Sequence, residues 1–149
     1  MDRDLRRKMV YELTHLTENK IRLEQLRLDF IDKGNRPSAP LPPDGSRSNL
    51  PSDPTCDEAI RTISILECIK KLDLKIKKIE LALDALPIKQ RRIIELRYID
   101  KACYTNEEVI AILSCKDRYM SRSRYYINRN DAIDKLIYII GKEVLKNWK

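Results

Sequence analysis

Apolar residues recur along the start of the chain at helical spacing, and strand-like alternation stands out nowhere. Met9, Leu16, Leu23 and Phe30 fall at seven-residue steps, and Leu5, Leu13 and Leu26 widen the stripe they form. Neither glycine nor proline occurs between Asp2 and Lys33. The pattern therefore predicts one long amphipathic helix over 1–33. A second pattern follows later. Ile65, Ile69, Leu72, Ile76, Ile79, Leu83 and Leu86 alternate steps of four and three. That is an a/d seam of the coiled-coil kind, on a helix over 55–86 that Thr55 can cap. The seam fits an antiparallel hairpin with the first helix or a second copy of the chain, and periodicity does not choose. Between the two patterns, 34–54 ("GNRPSAPLPPDGSRSNLPSDP") holds six of the seven prolines and two of the three glycines. Proline removes a backbone donor and fixes φ, so this stretch reads as a linker.

After "DALP" the seam stops, with Asp84 to Pro87 as a joint and Pro87 suited to a fresh helix start. In "IKQRRIIELRYI" one side collects Ile88, either Ile93 or Ile94, and Arg97 or Tyr98. A polar turn, "DKACYT", precedes Thr105, which caps "NEEVIAIL" with Glu107 and Glu108 close to capping-box spacing. "SCKDRYM" is a second break, and Ser121 a second cap. Beyond it Ala132, Ile133, Leu136, Ile137 and Ile140 form an apolar face, Gly141 ends the helix, and "KEVLKNWK" is an amphipathic tail. Tyr125 and Tyr126 point about 100° apart on a helix. Tyr125 is assigned to the core with Ala132 and Leu136, and Tyr126 to the outside. Tyr98 and Tyr104 read as packing residues. The fold class expected is all-α: a long helical hairpin or coiled-coil element, then a helix-turn-helix domain over 87–149.

Charge sharpens this division. The net charge of +7 is concentrated towards the end: 87–149 carries fourteen basic and eight acidic residues, against sixteen and fifteen before it. A basic module on a near-neutral remainder suits a polyanionic partner. The cysteines, Cys56, Cys68, Cys103 and Cys115, include no close pair, and His15 has no partner at ligand spacing, so no metal site is expected. There is no phosphate-cradling glycine loop and no Cys/His couple, so neither an enzyme nor a cofactor is expected. No apolar run approaches membrane-spanning length, and the start lacks a signal-like core. A cytoplasmic protein without membrane contact is the expectation.

The densest chemistry lies at 116–130. Lys116, Arg118, Arg122, Arg124 and Arg129 face Asp117 alone, +4 over fourteen residues, and "SRSRYYINRN" adds tyrosine and asparagine. A solvated helix face is the plain reading of such a run. A nucleic-acid reader is the sharper one. The major groove admits a helix, arginine matches guanine's paired acceptors, and the capped start of a helix favours a phosphate.

On these residues the chain resembles a known family. "ALDALPIKQRRIIELRYID", "YTNEEVIAIL" and "SRSRYYINRNDAIDKL", in that order, resemble phage transcriptional regulators of the ArpU/RinA family. They are more distantly similar to the promoter-reading C-terminal region of bacterial sigma factors. The likeness covers about residues 52–137. It implies a supporting helix over 105–113 and a recognition helix from Ser121. The DNA-facing positions it points to are Arg122, Ser123, Arg124, Tyr126 and Arg129, and the basic run with its cap adds Lys116, Arg118 and Ser121 to the candidate DNA-binding set. "SCKDRYM" departs from the short glycine-containing turn of sigma-like motifs. Either the supporting helix runs further, or the recognition helix enters the groove at another angle. The resemblance implies a phage or prophage late-gene activator in a Gram-positive host, with double-stranded DNA and RNA polymerase as candidate partners. Self-association through the heptad helix stays open. Two alternatives stand beside it: a small-terminase-like packaging protein, and a coiled-coil RNA polymerase adaptor that does not read DNA.

Overall fold

The computed structural model describes residues 2–34, 54–100, 102, 104–116 and 120–148, with side chains except at 33, 34, 54–58 and 116. Positions 35–53 of the expected linker, and Arg118, lie outside the described residues. All regular structure among the described residues is helical: α1 (Arg3–Thr14), α2 (Leu16–Gly34), α3 (Pro54–Asp84), α4 (Ile88–Ile94), α5 (Asn106–Lys116), α6 (Arg122–Ile140) and α7 (Lys142–Asn147). No helix among them is long and apolar enough to cross a membrane.

The first stretch is two helices, not one. Asp2 starts α1 by accepting the Asp4 N–H at 3.2 Å. The break falls at His15, whose backbone leaves the helical region at φ −92°, ψ 5°. Just before it, the Thr14 hydroxyl donates to the Val10 carbonyl, and His15 Nδ1 lies 2.8 Å from the Tyr11 carbonyl. Side chains that bond the preceding turn compete with the helical ladder. At the far end of the hairpin α3 begins at Pro54, so Thr55 lies inside the helix rather than at its cap. Proline suits that first turn because its missing N–H would have no partner there.

The heptad seam meets α2 of the same chain. Ile65, Ile69 and Leu72 are half-buried, while Ile76, Ile79, Leu83 and Leu86 are buried. Ion pairs set the direction. Lys20 reaches Glu80 at 2.6 Å and Arg27 reaches Asp73 at 3.0 Å. A step of seven forward along α2 is thus a step of seven back along α3, which makes the pair antiparallel.

Arg91 spans the joint at Pro87, binding Asp84 at 2.5 Å and Glu95 at 2.7 Å. From Glu95 to Ile99 α4 widens into one π-helical turn, closed by the Asp100 N–H on the Glu95 carbonyl at 2.8 Å. Ile93 and Ile94 are both buried, because α4 runs between two apolar clusters and each serves one of them. Ile88 is 87% exposed, contrary to the expected side. It stands two residues before buried Gln90 and so points nearly the opposite way.

The larger cluster joins Leu5, Met9 and Leu13 of α1 to Ile79 and Leu83 of α3 and to Ala132, Ile133, Leu136, Ile137 and Ile140 of α6. Each fully buried side chain of this size contributes about 1.5–3 kcal/mol. This core lies on both sides of Pro87. A forked ion pair from Arg6 to Asp134 fastens α1 onto α6 as well. Glu12 is the one buried carboxylate of the described core; its side chain is 3% exposed and stands 2.7 Å from Lys75 Nζ, without hydrogen-bond alignment. Gly141 ends α6 at φ 92°, a conformation costly for other residues, and donates its N–H to the Ile137 carbonyl. That turn lets α7 fold back and bury Leu145.

Candidate nucleic-acid interface

The second cluster carries the candidate site. Ile93, Leu96, Val109, Leu113 and Tyr125 are buried together where α4, α5 and the start of α6 meet. Local chemistry explains both helix starts. Thr105 and Glu108 form a reciprocal capping box: the Thr105 N–H donates to Glu108 Oε2 at 2.6 Å, and the Glu108 N–H donates to Thr105 Oγ1 at 3.3 Å. Ser121 caps α6 by accepting the Arg124 N–H at 3.3 Å.

The helix before this cap runs further than the expected 105–113, ending at Lys116. Three of the seven residues of that stretch, 114–116, are therefore helix. Lys116 lies at that C-terminus, with its side chain outside the described residues, as is Arg118.

Tyr125 is fully buried, but among Ile93, Val109 and Leu113 rather than with Ala132 and Leu136, which belong to the larger cluster. Burial pushes its phenol above the ordinary range. Its hydroxyl donates to Asn106 Oδ1 at 2.8 Å, and the same oxygen accepts from Arg97 Nε at 3.1 Å. Arg97 Nη1 also donates to the Tyr104 carbonyl at 3.0 Å. Asn106 thus ties the π-turn, α5 and α6 together at one oxygen. Further along α6, Gln90 donates to Asp131 at 2.5 Å. Bonds from Lys135 and then Gln90 hold the Asp131 carboxyl below its usual value.

The candidate residues do not share one face. Arg122, Ser123 and Arg124 are exposed. The Arg122 side chain is 73% exposed and only loosely paired with Glu107, at 3.7 Å. Arg124 has no ion pair among the described residues. Tyr126 and Arg129 are half-buried instead of outward. Tyr126 packs against the second cluster and meets Tyr125 edge-on at 5.2 Å. Arg129 lies over the Tyr126 ring at 5.0 Å, with Nη2 on Asn130 and a buried Nε that has no hydrogen-bond partner. The reason is angular. Positions four apart differ by about 40° around a helix, so Arg129 lies close to Tyr125's own side.

Sequence reasoning missed Ile127, 65% exposed, which joins Ser123 and Arg124 on the outward side. An apolar residue in a polar run was the available signal. It also missed Asn106, for which the sequence carries no signal beyond a position beside a cap. Cys68 and Cys115 are free and exposed. His15 stacks on Tyr11 at 4.0 Å, and no group of side chains among the described residues could hold a metal ion. No family model, curated protein or solved structure matches the chain.

Proposed function

We propose that the chain is a sequence-specific DNA-binding transcriptional regulator, with α5 and α6 as the supporting and recognition helices of a helix-turn-helix. One observation carries the reading. The first turn of α6 exposes Arg122, Ser123 and Arg124, holds no carboxylate, and is capped by Ser121. A helix N-terminus is already the positive end of its dipole, so arginines there are unfavourable in the free protein. The first turn of α5 shows the usual choice, Glu107 and Glu108. A bound phosphate reverses the balance at α6, which favours a polyanion over a merely solvated face. Ser123, Arg124 and Ile127 then present the reading side, arginine to guanine and isoleucine to a thymine methyl. Tyr126 and Arg129 set the pose of the helix. The family resemblance supplies the biological role: phage or prophage late-gene activation, with the long helices contacting RNA polymerase.

Selection of bound sites from random duplex DNA tests this directly. With the selected site, Arg124→Ala is expected to weaken binding by about 1–3 kcal/mol and relax preference at one base pair. Arg122→Ala is expected to weaken specific and non-specific binding alike, and to lower the slope of log affinity against log salt by about one. Failure to bind any duplex at low salt would favour the RNA polymerase adaptor. A ring of many subunits in solution would favour the packaging protein.

A further inference from the structure

We infer that the groove between α2, α3 and α7 docks an acidic protein segment that carries a large apolar side chain. The groove encloses about 690 Å³. Arg22, Lys71, Lys75 and Lys78 line it, and no carboxylate does so among the described residues. Two of these cations are committed elsewhere: Lys75 to Glu12 at 2.7 Å, and Lys71 to Glu67 loosely at 3.9 Å. Arg22 and Lys78 have no ion pair among the described residues. Between the cations lie Leu26, Leu72, Leu74 and Trp148, so the groove is apolar between charged flanks.

The two properties together select the occupant. Apolar surface gains little from a sugar–phosphate backbone, whereas an amphipathic segment buries its apolar side there and matches the cations with carboxylates. Position argues the same way, since none of the residues that line the groove belongs to α6. The inference stands whether or not α6 reads DNA.

Trp148 is the only tryptophan in the chain and lies in the groove, with Lys75 Nζ 5.4 Å from its ring. Its fluorescence reports occupation without a label. The probe is a synthetic helical peptide with glutamates on one face and leucines on the other, titrated into the full chain. A saturable blue shift of Trp148 emission is expected. The surface double variant Lys71→Glu/Lys78→Glu is expected to bind at least about tenfold more weakly, with an unchanged circular dichroism spectrum. A glutamine-for-glutamate peptide is expected to give no shift, and Arg122→Ala/Arg124→Ala to bind the acidic peptide like the parent chain. Absence of a shift with the acidic peptide overturns the inference. So does an equal response to the glutamine peptide, which makes the groove merely apolar, or to a short DNA duplex, which makes it merely cationic.

Discussion

Two donors converge on a single oxygen at Asn106, the Tyr125 hydroxyl and the Arg97 guanidinium. Removing the acceptor strands both, whereas removing the hydroxyl strands neither partner. Asn106→Ala is therefore expected to cost about 1–3 kcal/mol, and Tyr125→Phe about 0.5–1.5 kcal/mol, in urea unfolding. Equal losses from the two variants would show that the shared oxygen is not what holds α5 to α6. At this scale the sequence is half legible. That Tyr125 turns inward follows from helical angle alone. Which neighbours receive it depends on Asn106 and Val109, brought there by a turn that no local pattern encodes. Tyr126 and Arg129 are half-buried for a related reason. A helix beside one core has one outside, but the start of α6 adjoins a second cluster that takes up part of the expected free surface.

Among the elements, α5 depends most on its own start, since its buried contribution is essentially Val109 and Leu113. The Thr105 N–H, and then the Thr105 hydroxyl, hold the Glu108 carboxyl below its ordinary value of 4.5. The folded pKa is thus lower than the unfolded one. Its contribution is complete above pH 4.5 and is lost as pH falls through the depressed value. Amide protection in α5, corrected for intrinsic exchange, is expected to fall on acidification in that range before that of α6 does, because α6 is capped by a serine that does not titrate. Glu108→Gln should abolish the difference. If α5 and α6 loosen together in the parent chain, the capping box is not the weak point. Both caps were readable, since Thr105, Glu108 and Ser121 stand at the required offsets. The ends were not. Nothing in "SCKDRYM" marks Lys116 as the last residue of α5, and the break at His15 comes without glycine or proline.

In the whole molecule, α6 enters both clusters, so its two halves hold different parts of the chain. The C-terminal half packs on α1 and α3 through a core that crosses Pro87. Leu136→Ala, at the centre of that core, is expected to cost about 2–5 kcal/mol. Trp148 fluorescence and far-ultraviolet circular dichroism should report its unfolding as one transition, because α1, α3, α6 and α7 share the cluster. Two separated transitions would mean that the hairpin and the C-terminal helices hold together independently. The heptad seam was legible because its spacing is regular, and the described residues place its partner within the chain. The docking of α1 on α6 was not. Arg6 and Asp134 are 128 positions apart, and each reads in isolation as an ordinary surface charge.

The Glu12–Lys75 pair has a consequence for how this sequence can change. Loss of Lys75 leaves the buried Glu12 carboxylate without its cation, which typically costs about 3–5 kcal/mol, whereas loss of Glu12 leaves Lys75 beside a groove open to solvent. Substitution at position 75 is therefore the costly step, and the open route begins at position 12. Among descendants of this chain, Lys75 should be lost only where Glu12 has already changed. The depth of burial of one carboxylate thus sets the order in which the two positions can evolve.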